Sequence, residues 1–276
     1  MIVSNMNKWV FIHNPKVAGS SIRKVLLPYN ESRVEFWHQR YCPELQRVVD
    51  MSHLSTEEFD VVTKGDYRGH FKFGFVRDPY ARLLSALKEF STQNDVDVVS
   101  TQRARSSFIL DKLTAVTIQY DWRYSHFRPQ FMFFYRGVRR TVDFIGRFHR
   151  LDEDFRTVCA ILNLHRPDEL PIERDRGHCD HIEDPLLMFG KEALEAVNAL
   201  YAMDRMLFAP YLEHPQVGGV PVGDHYNNVQ NVRTPQGRFT FYGEPPNLSL
   251  GEKVGFLTTE IERLRGVVGE QRYRAT

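Results

Sequence analysis

FIHNPKVAGSSIRKVLL, residues 11–27, begins as an apolar run, turns through Asn, Pro, Lys and Gly, and leaves on a helix-like pattern. A helix that starts straight after a strand offers unpaired N–H groups and the positive end of its dipole, so the turn suits an anion. Gly19 permits close backbone approach. Ser20 and Ser21 add hydroxyl donors, and Lys16 adds a full charge on a flexible stem. The usual ATP or GTP loop reads G-x-x-x-x-G-K-[ST]. Here Lys16 precedes Gly19, no Lys follows it, and no Gly stands five residues before it. A nucleoside triphosphate with magnesium is therefore not the natural occupant. The plain alternative is an ordinary strand-to-helix turn.

A second stretch, FKFGFVRDPYARLLSA (71–86), repeats the layout. Pro79 fits the first turn of a helix, and Leu83, Leu84, Leu87 and Phe90 share one side of it. Arg77, at the junction, either grips a phosphate bidentately or pairs with Asp78 or another nearby carboxylate. Ser85 reaches the same phosphate only if that group lies along the helix; otherwise it is a small packed residue. Strand, tight turn and helix occurring twice predict an α/β fold with a mainly parallel sheet.

Outward from these stretches, KWVFIH (8–13) reads as a short buried strand and residues 20–27 as the helix after the turn. RVEFWH (33–38) reads as a further strand. Ser55 and Glu58 form a helix-start pair for residues 55–62. Residues 93–120 hold a polar and then an apolar helix-like stretch, and 126–136 are aromatic and basic. VDFIGRFHRLDEDFRTVCAILNL (142–164) predicts strand, turn and helix, with Phe155, Val158, Ile161 and Leu162 inward. Residues 191–211 read as one amphipathic helix. Residues 212–246, rich in Gly, Pro and Asn, read as irregular. Leu250, Val254, Leu257, Ile261, Leu264 and Val268 then recur in alternating steps of four and three, a heptad-like seam behind a Ser249–Glu252 capping pair. The expected organisation is a domain over 1–212, an irregular linker over 213–246 and a C-terminal helix over 247–276, with a homodimer through that helix slightly preferred.

A chain of 276 residues can bury a sizeable core. The formal charge of +1 does not suggest a nucleic-acid partner, and no apolar run is long enough to span a bilayer. The first residues lack a signal-peptide pattern, so a cytoplasmic location is expected. Cys42, Cys159 and Cys179 form no CxxC pair, which points to free thiols.

The two turn stretches together resemble the PAPS-dependent sulfotransferases, particularly the carbohydrate-type branch of Golgi and bacterial enzymes. FIHNPKVAGSSI resembles that family's 5′-phosphosulfate loop, F-I-H-x-P-K-[TA]-[AG]-[GS]-[TS]-S. FKFGFVRDPYARLLSA resembles its 3′-phosphate motif, F-x-F-x-F-V-R-[ND]-P-x-x-R-L-x-S. HFRPQ (126–130), VDFIGRFHRLDEDF (142–155, with His149 where Glu is usual) and ALYAMDRMLFAPY (199–211) are similar to later family segments. The resemblance spans about residues 8–212 and says nothing of the tail. It implies a P-loop NTPase-like three-layer fold and PAPS as sulfuryl donor, with no metal required. It assigns the loop residues Lys16, Val17, Ala18, Gly19, Ser20 and Ser21 to the 5′-phosphosulfate, and Arg77 and Ser85 to the 3′-phosphate. Sulfuryl transfer asks the protein mainly for in-line positioning and charge stabilisation.

The acceptor hydroxyl must lose a proton, and His is the usual carrier near neutral pH. Of eleven histidines, His13, on the first strand beside the loop, is expected to be packed, and His70, directly before the second strand, to be packed or half-exposed. His178 and His181 lie near Cys179, but no fourth residue is spaced to complete a zinc site. His53, in MSHLSTEEF (51–59), stands where related glycan sulfotransferases carry their base, and is preferred. His126 takes a substrate-positioning role. Arg123, Arg128, Arg136, Arg139, Arg140, Arg147 and Arg150 are expected either to attract an anionic glycan or to form a salt-bridged solvated face. Two other functions stay open on the sequence: a P-loop-type nucleotide-dependent kinase, and a non-catalytic nucleotide- or glycan-binding relative.

Overall fold

In the computed structural model the described residues are 1–137, 139–165, 170 and 182–212. The His178–Cys179–His181 group, the 213–246 linker and the seam at 250–268 lie outside them.

The chain is a mixed α/β protein whose central sheet is mostly parallel and flanked by helices. Strands β1 (Ile2–Ser4) and β2 (Trp9–Phe11) form an antiparallel edge hairpin that the sequence reading did not anticipate. Next to β2, and parallel to it, runs β5 (Phe71–Val76), followed by the parallel strand Phe144–Arg147. Both of these parallel strands are buried on their two faces, which is why 71–76 is apolar at every position but Lys72. Phe11, Phe73, Phe75 and Phe144 pack on one face against helices α1 (Gly19–Leu26) and α7 (Leu151–Leu162). On the other face a Cβ at Gly74 would sit 2.4 Å from Phe134, so Gly74 is the gap that lets α6 (Phe131–Phe134) lie against the sheet. Phe134 in turn meets Phe208 of α10 (Ala202–Leu212) edge-on.

Local signals set most boundaries. Ser55 and Glu58 make both bonds of a capping box at the start of α2 (Thr56–Val62). Asp78 caps α3 (Pro79–Asn94) with Pro79 in its first turn. Helices α4 (Gln102–Lys112) and α5 (Ala115–Tyr120) fill the 93–120 stretch, each capped by a threonine. α8 (Pro185–Phe189) and α9 (Lys191–Leu200) join α3 and α4 in a second apolar cluster that includes Leu87, Phe108, Phe189 and Tyr201.

Three expectations need correction. Residues 33–38 are not a strand: Phe36 is anchored on Phe59, the Arg23 guanidinium stacks on Trp37, and His38 takes a left-handed φ of 66° that ends any extension. The strand there is β3 (Gln39–Cys42), paired antiparallel with β4 (Arg47–Asp50). The 191–211 helix is two, because the Tyr201 hydroxyl is tied to the Phe127 carbonyl and its backbone leaves helical geometry. Ile161 is 45% exposed rather than inward, while Phe155 and Val158 are buried as expected.

Candidate functional site

The two strand-to-helix turns, before Gly19 and before Pro79, lie at the ends of neighbouring parallel strands, β2 and β5. Ligands of open α/β sheets bind at that carboxyl edge of the sheet. The first turn carries backbone strain. Lys16 and Ala18 both adopt left-handed φ, 66° and 59°. Each such non-glycine residue costs about 1–3 kcal/mol and persists where surrounding structure demands it, often at functional sites. Ala18 precedes α1, whose start has no side-chain cap and no acidic residue in its first turn. The first N–H groups and the dipole end are left to an outside acceptor. Gly19 has a steric reason to be glycine: a Cβ there would lie 1.7 Å from Nε2 of His13.

The turns touch. Nη1 of Arg77 donates to the Lys16 carbonyl at 3.1 Å, and the Arg77 guanidinium lies 4.1 Å over the Phe148 ring. Asp78 serves as the cap of α3, its Oδ1 accepting from the Ala81 amide at 2.8 Å. Between the turns sits Gln130, fully buried. Its Oε1 accepts from Nδ2 of Asn14 and from the Arg77 amide, both at 3.0 Å, and its Nε2 donates to the Arg77 carbonyl at 2.8 Å. Asp204 of α10 accepts from the amides of Gln130 and Phe131, both at 2.8 Å. Burial, resisted by Arg82 and these two amides, pushes the Asp204 carboxyl up to about 6.

Lys16 is not a lone charge. Its Nζ stands 3.2 Å from Oε2 of Glu89, which is 3% exposed on α3. Ser85 lies on the same helix one turn before Glu89, partly buried.

Beside the first turn, three histidines and a carboxylate come together. The His13 and His53 ring centroids are 4.4 Å apart, and those of His53 and His126 are 5.0 Å apart, edge to face. Asp50 ends β4 and caps the turn Met51–His53 by accepting from the Ser52 amide at 3.0 Å; its other oxygen accepts from Ser125 at 3.3 Å. It thereby joins the His53 segment to the turn Trp122–Phe127 that carries His126. Arg82, fully buried, donates to the carbonyls of His126 (3.1 Å) and Arg128 (2.6 Å), which fixes the backbone of that turn.

Nδ1 of His53 lies 2.9 Å from the His13 carbonyl. A carbonyl only accepts, so Nδ1 carries the proton and Nε2 keeps its lone pair. Burial lowers the His53 pKa; Asp50 and the His13 carbonyl pull it back up, and the net shift is downward. His13 and His126 are lowered further, by burial first and then by the neighbouring imidazoles. For Asp50 burial acts upward, but His53, His126 and the Ser52 amide outweigh it and hold the carboxyl below its ordinary value. Near neutral pH the arrangement is one carboxylate beside neutral imidazoles, able to take up a proton.

The expected basic surface is partly internal. Arg128 is buried on Glu58 at 2.8 Å, and Arg147 is buried on Asp154 at 2.9 Å. Arg123 pairs with Asp121, and Arg150 with Glu153. Arg128 and Arg147 therefore cannot face an acceptor.

The sequence reading singled out His53, His126, Lys16 and Arg77, and the fold brings their segments into one region. It gave no role to Asp50, Arg82, Glu89 or Gln130. Arg82 and Gln130 stood inside the quoted motifs, and Glu89 is one helical turn beyond Ser85, so only a partner was missing from the reading.

Compared with known protein families, residues 1–209 match the one described as "Sulfotransferase family". No curated protein and no solved structure matches the chain. Strand-end turns, an uncapped anion-ready helix start and a match over most of the chain agree, and the chain belongs to the sulfotransferase family.

Proposed function

We propose that the chain transfers a sulfuryl group from PAPS to a hydroxyl of a carbohydrate or glycoconjugate acceptor. The observation that carries the reading is the direct join between the two strand-end turns: Arg77 is bonded to the Lys16 carbonyl, and Gln130 is bonded to both sides. PAPS carries anionic groups at both ends of a ribose, and two coupled donor-rich turns answer that chemistry. Lys16 and the Val17–Ser21 backbone serve the 5′-phosphosulfate, and Arg77 with Ser85 serves the 3′-phosphate. The carbohydrate acceptor rests on the motif resemblance alone.

In the reaction the acceptor oxygen forms a bond to sulfur as the bond from sulfur to the bridging phosphate oxygen breaks. His53 takes the hydroxyl proton at Nε2, the nitrogen left bare by the bond from Nδ1 to the His13 carbonyl. Lys16 stabilises the negative charge that grows on the leaving phosphate. His126, beside His53 on a turn held by Arg82, orients the acceptor. The reading treats residues 1–212 as the catalytic domain.

Transfer of radiolabelled sulfate from PAPS to a glycan panel tests this. The expected result is product formation that survives a magnesium chelator and is abolished in His53→Ala. Phosphate transfer from ATP that stops with chelator would replace the reading with a kinase.

A further inference from the structure

Asp50, His53 and His126 each present one ligand atom, and these three atoms all lie within 4.8 Å of one another. Two imidazoles and one carboxylate form the donor set of a borderline transition cation; magnesium and calcium prefer oxygen throughout. We propose that this triad binds a divalent cation of the zinc type, and that occupancy silences sulfuryl transfer. The silencing rests on the role proposed above for His53: the Nε2 lone pair that would take the acceptor proton is the one that would hold the metal. Proton uptake and metal binding then exclude each other at one atom.

The surroundings are those a metal ligand needs. Ligating histidines normally donate their second ring nitrogen to a carbonyl or carboxylate, and ligating carboxylates are themselves hydrogen-bonded. His53 already donates Nδ1 to the His13 carbonyl at 2.9 Å. Asp50 already accepts from the Ser52 amide and the Ser125 hydroxyl, and each oxygen keeps a further lone pair. The ring nitrogens of His126 make no hydrogen bond among the described residues, while its carbonyl is pinned by Arg82. Bonds of about 2.0–2.1 Å would space tetrahedral ligands about 3.3–3.5 Å apart, so the set must close somewhat on binding. His126 is partly exposed where the other two ligands are buried, so its ring is the one to move on binding. Of the positive charges that act on His126, Lys16 is compensated by Glu89, and Arg82 is engaged by the His126 and Arg128 carbonyls. Three protein ligands leave a fourth position for water.

The test uses the full chain without donor: zinc by calorimetry, and cobalt by its visible absorption. One equivalent should bind, and Asp50→Asn or His126→Gln should each weaken binding by at least about 10–100-fold. Cys179→Ser with His181→Ala controls for the other histidine–cysteine group and should bind like the parent. Saturating zinc should suppress transfer, a chelator should restore it, and magnesium should do neither. An enzyme that transfers sulfate but binds no cation, or binds it equally well in both triad variants, overturns the site and leaves the proposed function standing. Binding at the triad with undiminished transfer overturns the silencing. Binding at the triad in a chain that transfers nothing keeps the site and removes the reading on which the silencing rests.

Discussion

At His53 burial and a carboxylate pull in opposite directions, and burial wins. A base must be neutral to work, so activity should hold through neutral pH and fall as pH drops through a His53 pKa below the ordinary ~6.5. Asp50 is what raises that pKa from the burial value. Asp50→Asn should therefore move the acid limb of the kcat/KM profile to lower pH; a limb that moves upward or stays in place would show that Asp50 does not act on the base. Lys16 poses a second question, because its partner Glu89 is buried. Lys16→Ala should cost about 3–4 kcal/mol in transition-state stabilisation if it serves the leaving group. It should also cost about 1–3 kcal/mol of stability by taking a cationic partner from the buried Glu89 carboxylate, which then keeps its bond from Gln93. Denaturant unfolding of the Lys16→Ala/Glu89→Gln double variant should recover the second loss without restoring turnover.

Between elements, Gln130 is the piece that ties the end of β2 to the end of β5. Gln130→Leu should loosen the spacing of the two turns. Affinity for 3′-phosphoadenosine 5′-phosphate should then fall more than affinity for adenosine 5′-phosphate, which engages one turn; an equal loss for both would mean a merely structural role. Gly19→Ala should be worse, since its Cβ would collide with His13, whose ring packs on His53. Both strand–turn–helix units, the capping box at Ser55 and the helix start at Pro79 were legible because each is a local pattern. Residues 33–38 misled because aromatic and β-branched residues resemble a strand, while the left-handed turn at His38 has no local signal. The Asp50–His53–His126 grouping was half legible. Each histidine stood in a motif, but Asp50 joins them through Ser125, a contact made only by the fold.

For the whole molecule, the proposed function makes one demand of the coupled turns: between them they must hold the donor at both of its anionic ends. No described helix is long and apolar enough to cross a membrane. The most direct measurement is calorimetric titration with 3′-phosphoadenosine 5′-phosphate in magnesium-free buffer, set beside ATP with magnesium. Binding of the bisphosphate alone is expected, with Arg77→Ala weakening it while Lys16→Ala chiefly lowers turnover. At ligand about 100 times its dissociation constant, unfolding should be harder by about 2.7 kcal/mol. Binding of ATP with magnesium and none of the bisphosphate would contradict the account.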